Sequence, residues 1–243
     1  MNLSKRLTTA VASVLSVAAF TAVAATQAHA ALDPSNSIGI DFDADTTTVI
    51  SKTQQPVNFP RTTLAARTDT QILEGTLKLP QAAATLNLGP LPLTLANFKI
   101  SIINPSQVTG TTTPGTSADG RQTLELKASQ TFQIRIDSVQ PLNIDSGSVD
   151  LNLVPSNGSC VTPPTTATLA GSIDAARLLA EVPQADAHIR GTYTIPPFAN
   201  CGLFTGVLNA IISGPNNTLD VHVTNPRYST GAASAALRAR LAG

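Results

Sequence analysis

Apolar residues recur at every second position in many short runs, each bounded by Gly, Pro, Asn or Ser. This is the pattern of strands with one face in a core and the other in water. The cleanest run is TFQIRIDSV, where Phe132, Ile134 and Ile136 share one face and Gln133, Arg135 and Asp137 share the other. Leu124 with Leu126, Val149 with Leu151 and Leu153, and Leu219 with Val221 and Val223 repeat the scheme. One-sided alternation of this kind belongs to antiparallel sheets. In PLTLANFKISII the phase runs through Leu91, Leu93 and Leu95, then moves to Phe98, Ile100 and Ile102, which predicts a β-bulge near Ala96-Asn97.

Turn signals fall at Gly89-Pro90, Asn104-Pro105, Asn157-Gly158 and Gly214-Pro215. The Thr/Gly-rich stretch from 109 to 120, TGTTTPGTSADG, has almost no bulky apolar residue and predicts a mobile loop. Two segments break the alternation. In CGLFTGVLNAIISGP, Leu203, Phe204, Val207, Leu208, Ile211 and Ile212 fall at helical spacing before a Gly-Pro stop, predicting a capping helix over about 201 to 212. DAARLLAE, residues 174 to 181, predicts one or two helical turns ended by Pro183. The fold expected is therefore all-β, an antiparallel β-sandwich or partly open barrel with a short C-terminal capping helix.

The N-terminus reads differently. Lys5 and Arg6 precede an apolar, charge-free run and the Ala28-His29-Ala30 site, the order of a secretory signal peptide over residues 1–30. The expected organisation continues with an extended segment over 31–56, the β domain over 57–225 and a tail over 226–243. No later stretch is long and apolar enough for a transmembrane helix. The leader removes two of 15 basic residues and none of 15 acidic ones, leaving a charge of about −2. With Trp absent and no basic patch, nucleic acid is not an expected partner.

Several constellations are candidates for chemistry. Asp41, Asp43 and Asp45 alternate in IGIDFDADTTTVISK and suggest a calcium site. Thr46 and Lys52, standing where an EF-hand loop needs Gly and Glu, exclude that motif. The pairs Asp186-Ala-His188 and Asp220-Val-His222 put Asp and His on one side of each strand. If the two strands were neighbours, the four side chains could form a metal or acid–base site. Ile189 and Val221, on the opposite phase, place both pairs on the water-facing side. No nucleophile-elbow, HExxH, phosphate-loop or dinucleotide motif is present, and no cofactor is called for.

The two cysteines, Cys160 and Cys201, in an exported chain are expected to pair. The bridge would stabilise by about 4 kcal/mol in the chain-entropy treatment.

The segment GTYTIPPFANCG, followed by an apolar run and SGPNNT, resembles a motif of secreted actinobacterial proteins of unassigned activity. The resemblance implies an extracellular or cell-envelope β protein and carries over no catalytic residues. The function expected is non-enzymatic: binding of a lipid, another apolar ligand or an envelope component, with Leu93, Phe98 and Ile134 as candidate cavity residues. The alternatives are a secreted hydrolase or metal-binding protein built on His188 and His222, and a structural or adhesive module.

Overall fold

The structure is a computed structural model, and it describes residues 32–33, 36–69, 71–87, 94–141, 152–155 and 157–229. The expected signal peptide, the turn at Gly89-Pro90, Leu91, Leu93, Val149, Leu151 and most of the tail lie outside the described residues.

Ten strands are present among the described residues: β1 (Ile38–Ile50), β2 (Gln55–Thr68), β3 (Ile72–Leu77), β4 (Ala82–Asn87), β5 (Thr94–Ile103), β6 (Val108–Thr116), β7 (Gln122–Pro141), β8 (Thr165–Asp174), β9 (Asp186–Ile195) and β10 (Gly214–Tyr228). Every pairing is antiparallel. Eight strands follow one another around a ring in the order β1-β2-β3-β6-β7-β8-β9-β10, and β10 returns to β1. Apart from the β4–β5 excursion, the chain runs up and down around that ring in sequence order.

β7 belongs to two sheets. Its residues 123–132 pair with β8, and from Gln133 onward it pairs with β5, which continues to β4. A strand that changes partners in this way makes the corner between packed sheets. β4 lies against β2, and the buried apolar residues of both sheets form one cluster. Phe132, at the change of partner, meets Tyr193 of β9 edge-on, with centroids 5.6 Å apart.

The alternation read along the chain sets which way each side chain points. On β1, Ile40, Phe42 and Ala44 are buried while Asp41, Asp43 and Asp45 stand on the outer face. An apolar inside and a charged outside is the reverse of a membrane-spanning barrel. The expected bulge appears as a register shift where Leu86 and Asn87 face Ala96 and Thr94. A second irregularity lies opposite Lys99 and Ile100, where β7 carries Asp137 as an extra residue.

Three expectations need correction. Residues 108–116 are not a loop but strand β6, paired with β7 from Thr109–Ser129 to Thr116–Gln122. Threonine is polar yet β-branched, so it suits a strand that offers little bulk. Gly110 lets β6 approach closely, since a Cβ there would lie 2.0 Å from the Lys127 carbonyl oxygen. The segment 31–56 is more than an extended arm, for it supplies β1, which lies between β2 and β10. Similarly, β10 runs past residue 225 to Tyr228.

The capping element is a 3₁₀ turn (Gly202–Phe204) leading into α2 (Thr205–Ile211). Leu208 and Ile212 are buried, whereas Leu203 and Val207 point outward at 98% and 54% exposure. Lys52 donates to the carbonyls of Asn209 and Ala210, the cationic partner that a helix C-terminus favours. The other helical segment is a single turn, α1 (Ala175–Leu178), whose N-cap Asp174 accepts from the Arg177 amide.

Cys160 and Cys201 are joined, with Cα atoms 4.4 Å apart and both residues fully buried. Val161 bridges Arg135 on one side and Ala199 on the other, so the disulfide ties the chain before α2 to the lower half of β7. No helix among the described residues is long and apolar enough to cross a membrane.

Candidate functional site

The ring encloses an apolar void of about 70 Å³. Its wall draws on strands all around the barrel, with Phe42, Leu64, Leu126, Leu169, Ile189 and Val223 among the lining residues. No polar atom faces the void, and a space without hydrogen-bonding partners stays dry. Glu74 borders it, but its carboxylate accepts from the Leu32 amide and the Gln107 side chain. At one end Leu178 of α1 closes the space, and the Tyr228 hydroxyl donates to the carbonyls of Leu178 and Ala180, holding that turn in place. Eight strands is the barrel size at which side chains either fill the interior or leave room for one small ligand.

The cavity is not at the residues the alternation suggested. Phe98 and Ile134 are buried on β5 and β7 where these strands pair with each other, beyond the point where β7 leaves the ring, and neither lines the void. Leu93 lies outside the described residues.

The Asp41, Asp43, Asp45 series does share the outer face of β1, yet each carboxylate has its own partner. Asp41 accepts from Ser229 at 3.1 Å, Asp43 from Arg227 at 2.8 Å and Asn225 at 3.0 Å, and Asp45 from Nε and Nη2 of Arg61 at 2.9 and 2.6 Å. The Arg227 and Asn225 bonds hold the Asp43 carboxyl below the ordinary range, and the Arg61 bond does the same for Asp45. Flanking strands thus pull the three groups apart, and the calcium expectation has no converging ligand set. Among the described residues no three His, Cys, Asp or Glu groups are placed to hold a metal ion.

The two D-x-H pairs are neighbours, because β9 and β10 pair with His188 directly opposite His222. Their rings stack with centroids 4.3 Å apart and planes 8° from parallel. The hydrogen bonds cross the strands: His188 Nδ1 donates to Asp220 at 2.8 Å, and His222 Nε2 donates to Asp186 at 2.7 Å. An ionised carboxylate only accepts, so these bonds fix both tautomers. Asp186 is lowered mainly by His222; burial pushes Asp220 upward, but His188 and Arg190 outweigh it and its carboxyl is also lowered. No serine, threonine or cysteine among the described residues hydrogen-bonds either ring. The arrangement works as a cross-strand clamp on the outside of the barrel.

The repeated D-x-H spacing was the signal for this clamp. The ring interior had a fainter one, the glycines that bring β8 and β9 together. A Cβ on Gly191 would lie 1.7 Å from the Thr168 carbonyl oxygen, so the Gly of GTYTIP is required by close strand approach.

No protein-family model, curated protein or solved structure matches this chain.

Proposed function

We propose that the protein is an exported, non-enzymatic β-barrel that binds one slender apolar ligand inside its ring. The observation that carries this reading is the dry void of about 70 Å³ at the centre of a closed eight-stranded barrel. At 10–15 Å³ for each water-sized position, the void offers about five to seven such positions in a space without polar partners. That is far below the roughly 300–1,000 Å³ of pockets for drug-sized molecules, so the occupant is an unbranched chain of about five to seven carbons inside the void. Export is supported by the leader-like N-terminus and by the Cys160–Cys201 bridge, since disulfides persist in oxidising compartments.

Burying about seven carbons brings about 6 kcal/mol at 0.8 kcal/mol per methylene, which sets the Kd no tighter than tens of micromolar. The test is titration with 1-octanol followed by amide NMR. Saturable shifts on the lining strands, lost in Ala128→Leu, are expected. Absence of saturable shifts up to the solubility limit would remove the reading.

A further inference from the structure

We propose that the ligand is a single-chain carboxylic acid that enters through the seam between β8 and β9, with its carboxylate on Arg177 and its tail running past Ile173 into the barrel. This rests on the apolar-ligand reading above and gives that ligand a head group and a route.

The seam has the shortest ladder in the ring, one residue pair fewer than that between β3 and β6. β8 and β9 share only three residue pairs, Thr168–Thr192, Leu169–Gly191 and Ala170–Arg190, whereas β8 pairs with β7 along its whole length. Beyond Gly171 the two strands carry no further ladder pairs, and α1 with residues 179–185 connects them at that end. Opening the barrel there breaks fewer backbone hydrogen bonds than at the long ladders.

Open space lies on both sides of this seam. Outside it is a crevice of about 360 Å³ bordered by Arg121, Ser172, Asp174, Arg177, Gln184 and Asp186. Ile173 borders both this crevice and the interior void, so its side chain stands between polar and apolar space. α1 has the same division in successive residues: Arg177 lines the crevice and Leu178 lines the void. A molecule spanning the partition therefore meets a polar half and an apolar half.

The charges select the head group. Arg121 is engaged by Asp119 at 2.7 Å and by Asp174 at 3.1 Å. Asp186 is drawn to His222 at 2.7 Å. The Arg177 guanidinium has one neutral side-chain partner, Gln184 at 3.2 Å, and retains donors for a carboxylate. Asp174 is paired with Arg121 and Asp186 accepts from His222, so Arg177, whose charge also acts on Asp186 but whose side-chain hydrogen bond goes to the neutral Gln184, is the crevice cation with donors left for a carboxylate.

The experiment compares octanoate, 1-octanol and octylammonium at neutral pH by calorimetry and amide NMR on the whole protein, Arg177→Gln and Ala128→Leu. Octanoate is expected to bind at least tenfold more tightly than octanol, as a charge-assisted pair would provide, with octylammonium weakest. Arg177→Gln should remove that preference and leave octanol unchanged, while Ala128→Leu should weaken all three. Equal affinity for octanoate and octanol, or a preference that survives in Arg177→Gln, would overturn the head-group assignment while leaving the barrel reading intact. Failure of all three ligands would end both.

For the route, Ile173→Ala should accelerate association and dissociation together. Ile173→Val provides a milder version if the alanine variant is poorly folded. Unchanged rates in a folded variant would place the route elsewhere.

Discussion

His188 and His222 stack face to face across β9 and β10, and each is held by the aspartate that lies two residues from the other. The chain uses D-x-H twice and cross-links the two copies, so a motif that reads as two separate pairs acts as one four-residue clamp. The two rings lie on the opposite side of the sheet from the void, while Asp186 of the clamp also borders the crevice beside Arg177.

Acid should weaken this clamp. Asp186 and Asp220 have folded-state carboxyls below their unfolded value, so their contribution is present above about pH 4 and is lost as pH falls through the lowered folded values. Asp220→Asn is expected to lower Tm at pH 7 by about 1–3 °C, the scale of a partly exposed pair. At pH 2.5 the difference from the unmodified protein should largely vanish. A penalty that stays constant across that range in thermal melts would contradict the assignment.

Tyr193 governs the alkaline side. Burial pushes its hydroxyl up to about 12, against the lowering effect of its bond to Thr48. Because Thr48 donates to the Thr218 carbonyl at 2.6 Å, Tyr193 must be the donor at 2.9 Å to Thr48. The folded value is raised, so the contribution is complete below pH 10 and declines as pH climbs from 10 to 12, by about 3 kcal/mol in all. Tyr193→Phe should cost about 1 kcal/mol at neutral pH and flatten that decline in urea melts. Absorbance titration should find one tyrosine resisting ionisation until near pH 12.

Loss of the disulfide should show in stability rather than in binding. Cys201→Ser is expected to cost about 4 kcal/mol, since the bridge constrains the unfolded chain over 41 residues of separation. Neither cysteine lines the void, so octanol affinity of the folded fraction should persist. Chemical denaturation with and without reductant, alongside the titration, checks both halves.

Ala128→Leu puts added carbon into the void that Ala128 borders. Cavity filling commonly raises stability by about 0.5–2 kcal/mol, so this variant should melt at or above the temperature of the unmodified protein while losing its ligand. A drop of several degrees would mean that the space is too small even for those atoms.

Much of the fold was legible in the sequence because alternation dictates facing. Phe132, Ile134 and Ile136 are buried as their phase required, as are Leu219, Val221 and Val223. Alternation tells which side faces a core but not which core. The candidate cavity residues Phe98 and Ile134 therefore fell in the second sheet, because β7 changes partners between Phe132 and Gln133. Nor does it tell how full the core is: the void depends on residues such as Ala66 and Ala128 being small where a ring closes around them. The pattern at 109–116 misled for a different reason, since threonines read as polar fulfil a strand's steric demands with little bulk. Leu203 and Val207 have helical spacing with their neighbours, but α2 is too short to bury more than one side.

The ring closes where the first strand meets the last, with residues 40–49 of β1 paired to residues 218–228 of β10. That join cannot form until β10 is available, so a barrel whose seal depends on this pairing closes only after the intervening strands have been supplied. End-joining across so long a separation is the slow, late event expected of non-local pairing. Until it occurs, β1 has a bare edge on its β10 side, so the unclosed sheet is open to misassociation at the strand that later becomes part of a continuous wall.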